Sequence, residues 1–206
     1  MIPPNDQPLR QAMLNIAGRY VDLILATRRR RQALPRRDDP MDPESRTGLP
    51  HLRWMCEEAI RAVDAMPSDK AHRWLGFVQG AMSMNGNYAM DAVWLMTKPR
   101  RAFPAIHQLL STPRPRHGRG TLPAILAEAE QLREMCEEHR RAMPTDEISR
   151  WLGALQGRMA VMKLIDVDGE RVITRPLFHA AYEAMGLPIP ESWGPGPAAG
   201  SAARQA

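Results

Sequence analysis

A block of eight residues occurs twice in this chain. Arg73-Trp74-Leu75-Gly76-Phe77-Val78-Gln79-Gly80 returns as Arg150-Trp151-Leu152-Gly153-Ala154-Leu155-Gln156-Gly157, displaced by 77 positions. Upstream, Leu52-Arg53-Trp54-Met55-Cys56-Glu57-Glu58 returns as Leu132-Arg133-Glu134-Met135-Cys136-Glu137-Glu138, displaced by 80. Met66-Pro67-Ser68-Asp69 matches Met143-Pro144-Thr145-Asp146, and Thr97-Lys98-Pro99 matches Thr174-Arg175-Pro176. Self-similarity at a fixed displacement marks a supersecondary unit used more than once, and it is read before any short motif. The three residues lost between the first two blocks make up nearly one helical turn, so the helix can shorten and keep its apolar face.

The parse that follows is all-α, with two tandem duplicated helical units at 51–110 and 128–190. Residues 1–34 read as an amino-terminal amphipathic helix with a basic end, 35–50 as a linker, 111–127 as a basic linker and 191–206 as a disordered tail. Within a unit, Leu52, Met55, Cys56, Ala59, Ile60 and Val63 recur at helical spacing. Met66-Pro67 ends that helix, because proline disfavours helical geometry in the residue before it. Ser68 and Thr145 are expected to cap the next helix through their hydroxyls, with Asp69 and Asp146 in its first turn. Gly76 and Gly80, like Gly153 and Gly157, lie four apart on one face, where each costs about 1 kcal/mol relative to alanine; a crossing helix is expected there. Asn85-Gly86-Asn87 reads as a turn, with helical spacing resuming over 88–96. Asp166-Val167-Asp168-Gly169 reads as a tight turn, with a short hairpin through Arg171-Val172-Ile173. In the first helix Leu9, Met13, Ile16, Tyr20 and Leu23 form a near-heptad stripe that could serve either a homo-oligomer or the two units.

Composition agrees with helices and excludes several classes. The 206 residues are 44% hydrophobic and only 5% aromatic, with a net charge of +5. That is enough apolar material for a core, and not a disordered polyelectrolyte. No apolar run reaches membrane-spanning length and residues 1–8 do not read as a secretory leader, so a cytoplasmic, reducing location with no membrane partner is expected. Two cysteines make neither a disulfide framework nor a zinc site.

No Walker loop, His-Glu-x-x-His, Gly-x-Ser-x-Gly or Glu-x-x-His is present, so no catalytic residue, metal ligand or cofactor is assigned. Glu57-Glu58 and Glu137-Glu138 invite comparison with all-α nucleotide pyrophosphohydrolases, but the spacing of the further acids is wrong and solvated helix faces are expected. Cys136 with His139 is not matched in the first unit, which favours buried structural thiols. Asp166 and Asp168 lack the glycine position and bidentate glutamate of a calcium loop.

Two sets of residues remain as binding candidates. Arg28, Arg29, Arg30, Arg31, Arg36 and Arg37 form the densest cationic run, suited to phosphate or an acidic protein surface. Arg73 with Gln79, and Arg150 with Gln156, offer a guanidinium and an amide suited to a phosphate or nucleotide edge. Six residues apart, the members of each pair point to different sides of the helix, so one of each is expected to be exposed. Their plainer role is internal, with Arg73 on a carboxylate of its own unit. Trp74 and Trp151 read as anchors where helices meet.

At Lys70-x-x-Arg73-Trp74-Leu75-Gly76-Phe77-Val78-Gln79-Gly80 the sequence resembles small proteins encoded in tailed-phage and prophage genomes, which carry a similar Arg-Trp-Leu-Gly-Phe-x-Gln-Gly stretch after a short helix. The resemblance spans about 45 residues in the first unit and a weaker echo in the second, where Ala154 replaces Phe77. It implies a setting in which early phage proteins act on host or phage nucleic-acid processes, and it carries over no catalytic residue. The function expected is that of a non-enzymatic interaction protein that binds and modulates a host defence or nucleic-acid-processing protein. The alternatives are direct binding of nucleic acid or nucleotide, and a metal-dependent nucleotide hydrolase.

Overall fold

The computed structural model describes residues 6–29, 42, 44–62, 65–84, 98–110, 121–137 and 144–190. Among them are seven α-helices and no strand: α1 (Gln7–Arg29), α2 (Leu49–Ala62), α3 (Ser68–Met84), α4 (Pro99–Leu110), α5 (Leu122–Glu137), α6 (Thr145–Val161) and α7 (Val167–Ala184). The all-α class read from the sequence is the class of the fold. The tail at 191–206, the Asn85-Gly86-Asn87 turn, the helical spacing at 88–96 and the arginines of the second linker lie outside the described residues. Both linkers are shorter than expected, since α2 begins at Leu49 and α5 at Leu122.

The two copies of the repeated block lie on α3 and α6, and these helices pack against each other at their glycines. A Cβ added to Gly76 would collide with the Arg150 carbonyl, 2.8 Å from its carbon, and come within 2.9 Å of the Ala154 nitrogen. One added to Gly153 would collide with the Arg73 carbonyl, 2.8 Å from its carbon, and come within 2.9 Å of the Phe77 nitrogen. Gly80 meets Ala154 and Gly157 meets Phe77 in the same reciprocal manner. Rising numbers on one helix meet rising numbers on the other, so α3 and α6 run parallel, related by a local pseudo-twofold axis along their length. The crossing helix expected at each pair of glycines is thus the other copy. Small residues spaced by four let two backbones approach this closely.

Parallel packing places two helix N-termini, and so two partial positive charges, side by side. Carboxylates and hydroxyls gather there. Ser68 Oγ donates to Asp146 at 2.8 Å, the Thr145 hydroxyl donates to Asp6, and Asp69 and Glu147 occupy the first turns. The expected hydroxyl cap at Thr145 is therefore not formed: Pro144 holds the cap position of α6 without a side-chain bond, and Thr145 reaches across to α1. Ser68 likewise lies inside α3 and donates to Asp146 of the neighbouring helix.

One continuous core joins both expected units, built from α1 through α7. Leu9, Met13, Ile16, Tyr20 and Ile24 of α1 are all buried in it, with Leu23 packed on its edge. The near-heptad stripe is thus covered within the chain, largely by α5 and α7. Cys56 and Cys136 are buried free thiols, and burial pushes the Cys56 thiol well up.

The expected hairpin at 171–173 is replaced by helix. Asp166 accepts from the Gly169 amide at 2.7 Å and thereby caps α7, so Asp-x-Asp-Gly starts a helix instead of turning a strand. Upstream, α6 ends in a Schellman motif: Leu164 N donates to Met159 O and Lys163 N to Ala160 O, both at 2.9 Å, with Lys163 at φ 55°. α7 ends in the same motif, but with Gly186 at φ 67°. A side chain in this left-handed region costs about 1 kcal/mol that glycine does not incur. Lys163→Gly is therefore expected to raise stability by about 0.5–1 kcal/mol in urea denaturation, and Gly186→Ala to lower it by a similar amount.

Candidate binding cleft

Parallel packing also decides which arginine meets which glutamine. The sequence pairs Arg73 with Gln79 and Arg150 with Gln156, each on one helix. In the fold Arg150 meets Gln79 across the two helices, and Arg73 and Gln156 line one cleft.

One cross-pair is closed. Arg150, 3% exposed, donates to Gln79 Oε1 at 3.5 Å and forms an ion pair with Glu147, and Gln79 is 1% exposed. Trp151 Nε1 donates to the same glutamate at 3.2 Å. Each sequence pair thus has one interior member, Gln79 or Arg150, and one half-buried member, Arg73 or Gln156.

The other cross-pair is open. Arg73 and Gln156 line a half-open cleft of about 160 Å³ between α3 and α7, with Trp54 and Met55 of α2 at its side. Arg73 is held by Asp69, at 3.2 Å, and lies over the Phe178 ring with its guanidinium carbon 3.8 Å from the centroid. The plainer role expected for Arg73, a carboxylate of its own unit, is thus met, and the residue still faces the cleft. Asp69 also accepts from the Tyr182 hydroxyl, so α7 is joined to α3 through side chains at this end. At the other end Gln156 donates to Tyr20 Oη at 2.8 Å, and Tyr20 donates to Glu170 Oε1 at 2.6 Å. Arg19 completes that network as the counter-ion of Glu170. Burial, with Glu170 adding to it, holds the Tyr20 hydroxyl well above its ordinary pKa.

The difference between closed and open sides comes down to matched positions. Where the second copy has Glu147, which neutralises Arg150, the first has Lys70. Where the second has Ala154, the first has Phe77, and both Lys70 and Phe77 line the cleft. Four cationic side chains, Lys70, Arg73, Arg171 and Arg175, line it against the single carboxylate of Glu170. Burial lowers the Arg171 pKa, Asp168 at 3.0 Å opposes that, and the nearby Arg46 and Arg175 lower it further. Arg46 shares Asp168, at 3.1 Å. An anion at this rim would relieve the crowding of like charge. The walls are aromatic: Trp54 and Trp74 meet at a tilt with centroids 6.2 Å apart, and Phe77 and Phe178 complete the lining. Trp74 is therefore both the helix anchor expected and part of the cleft wall, whereas Trp151 packs on the core and donates to Glu147.

The remaining candidates lie apart from the cleft. Arg28 and Arg29 form the last turn of α1, with Arg29 exposed; Arg30, Arg31, Arg36 and Arg37 lie outside the described residues. Glu57 accepts from Arg53 at 3.1 Å and meets His107 at 2.9 Å, partners that hold its carboxyl below the usual range despite some opposing burial. Glu58 forms an ion pair with Arg61. Glu138 and His139 lie outside the described residues. Among the described residues, no group of three or more His, Cys, Asp or Glu is arranged to hold a metal, and no helix is long and apolar enough to cross a membrane.

Beside the cleft, His51 stacks on Trp54 at 5.2 Å between centroids, and its Nε2 is buried with no hydrogen-bond partner. Burial, helped by Arg46 and Arg171, lowers its pKa from 6.5 to about 3. The unfolded chain then binds a proton that the folded chain refuses, so stability falls as pH drops below 6.5 and goes on falling to about 3. Between pH 7 and pH 5 the loss from this group is expected to be about 2 kcal/mol. Urea titrations of wild type and His51→Leu at both pH values would show it, the variant losing less stability by that difference.

No family model, curated protein or solved structure matches the chain.

Proposed function

We propose that the protein is a non-enzymatic recognition protein whose working part is the cleft between α3 and α7, and that what enters it is an anionic group. The observation that carries this reading is the exchange of Glu147 for Lys70 at matched positions. Where Glu147 neutralises the buried Arg150, Lys70 lines an aromatic cleft together with Arg73, Arg171 and Arg175, of which Arg73 and Arg171 are held by Asp69 and Asp168. Charge-assisted hydrogen bonds from such a rim are the strong ones available to a protein, and aromatic walls add a surface for an attached flat group.

The phage-type setting implied by the Arg-Trp-Leu-Gly-Phe-x-Gln-Gly resemblance would give such recognition its purpose, the modulation of a host defence or nucleic-acid-processing protein. Val172 and Ile173, 75% and 46% exposed on α7 next to Arg171 and Arg175, support contact with a partner beyond the cleft itself. A direct role of the Arg28–Arg37 run on nucleic acid is a second source of affinity, with Arg29 exposed at the end of α1. The hydrolase reading loses its best acids, since Glu57 and Glu58 are engaged by arginines and His107.

The test is capture from host lysate by tagged wild type, Lys70→Glu and Arg175→Glu, with and without nuclease. A bound species that disappears in both variants is the expected result. Recovery unchanged in both variants would remove the cleft as the recognition site, and loss on nuclease treatment alone would transfer recognition to the Arg28–Arg37 run.

A further inference from the structure

The cleft has two chemically distinct parts, and together they define its ligand more narrowly than an anion. Its accessible space, about 160 Å³ and open on one side, is close to the roughly 150 Å³ of a cavity that accepts one benzene ring. Trp74 and Phe77, with Trp54 beside them, supply the apolar surface that a flat ring stacks upon, and Phe178 backs the Arg73 guanidinium. Within the same lining, the Gln156 amide and the Arg73 guanidinium are held in place, by Tyr20 on one side and by Asp69 and Phe178 on the other. An amide offers both a donor and an acceptor, and a guanidinium offers donors in a fixed plane. That is the complement of a ring whose edge carries carbonyl and amino groups. Lys70, Arg171 and Arg175 then supply the positive charge for an anion joined to the ring.

We infer that the cleft binds a pyrimidine nucleoside phosphate, with the base in the aromatic compartment and the phosphate among Lys70, Arg171 and Arg175. This rests on the cleft being the recognition site. The accessible space, about that of one six-membered ring, favours a pyrimidine over a purine. The same chemistry is presented by a free nucleotide and by the phosphorylated end of a strand.

Isothermal titration calorimetry of the full chain with UMP, CMP, AMP, uridine and inorganic phosphate tests the inference. UMP or CMP is expected to bind at least about tenfold more tightly than uridine, tenfold being what one good charge-assisted contact provides, and more tightly than AMP or inorganic phosphate. Arg175→Glu, at an exposed position, and Lys70→Glu are each expected to weaken UMP and CMP by at least about tenfold, with thermal melting confirming that both variants fold. Phe178→Leu is expected to weaken them while leaving the response to inorganic phosphate unchanged. A short 5′-phosphorylated oligouridylate that binds more tightly than UMP assigns the site to a strand end, and equal or weaker binding assigns it to the free nucleotide. No binding of UMP or CMP, binding indifferent to Arg175→Glu and Lys70→Glu, or equal affinity for AMP overturns the inference. If the nucleotides fail while both variants still lose a captured partner from lysate, the ligand class is wrong and the recognition role of the cleft stands.

Discussion

Gly76→Ala and Gly153→Ala are each expected to destabilise the protein by about 2–3 kcal/mol, whereas Gly18→Ala should stabilise it by up to about 1 kcal/mol. All three add the same methyl group to a helix interior, and alanine is the better helix former by about 1 kcal/mol. At Gly18 nothing lies within 4 Å of the added carbon, so the propensity gain is realised. At Gly76 and Gly153 the carbon meets the carbonyl of Arg150 or Arg73. Backbone cannot rotate away as a side chain can, so α3 and α6 must separate along the whole crossing and lose packing on both sides. The two clashes share one crossing. Once the helices have moved apart for the first alanine, the second meets less resistance, and the double variant should lose measurably less than the sum of the single losses. Urea denaturation of the four variants gives these values. Full additivity, or the same sign at Gly18 and Gly76, would contradict the parallel glycine contact.

Asp69→Ala should be costlier still, at about 3–4 kcal/mol, because its carboxylate has three roles. It is buried, pairs with Arg73, accepts from the Tyr182 hydroxyl, and lies in the first turn of α3 where the helix dipole favours negative charge. Removing it leaves a largely buried guanidinium and a buried hydroxyl without their acceptor. Tyr182→Phe is the informative companion. It removes one donor from a carboxylate that keeps Arg73, and should cost about 1 kcal/mol. In the double variant the Tyr182 change should cost close to nothing, since its partner is already gone. Burial, with Asp69 adding to it, also holds the Tyr182 hydroxyl well above its ordinary pKa. The unfolded chain therefore releases that proton first, and this contribution to stability is lost as pH rises above about 10.

The helices and their crossing were legible because both are local signals. Leu9 to Leu23 repeats at helical spacing, Met66-Pro67 breaks the chain, and Gly-x-x-x-Gly needs a close neighbour. What those signals omit is direction. Whether α3 and α6 run parallel or antiparallel is set by tertiary packing, and only that decides that Arg73 shares a cleft with Gln156 and not with Gln79. The hydroxyls of Ser68 and Thr145 were misread for the same reason: tertiary packing offers them acids, Asp146 across the contact for Ser68 and Asp6 just before α1 for Thr145. Asp166-Val167-Asp168-Gly169 was misread because a turn and a helix cap use the same residues, and only the residues that follow distinguish them. Arg171, Arg175, Tyr20 and Glu170 carry no local mark of function, since α7 and α1 bring them to the cleft from far apart in the chain. One signal was available: comparison of the two copies shows Lys70 where Glu147 stands, a reversal of charge beside a repeated arginine.

That reversal gives the most direct test of the cleft. With arginine side chains labelled, their Nε–Hε resonances can be followed by NMR while inorganic pyrophosphate, an anion with no ring, is added. The resonances of Arg73, Arg171 and Arg175 are expected to shift together, and that of Arg150, closed off by Glu147 and Gln79, to stay in place. Equal movement of Arg150, or a response spread evenly over exposed arginines such as Arg100 and Arg133, would contradict a cleft opened on one side only.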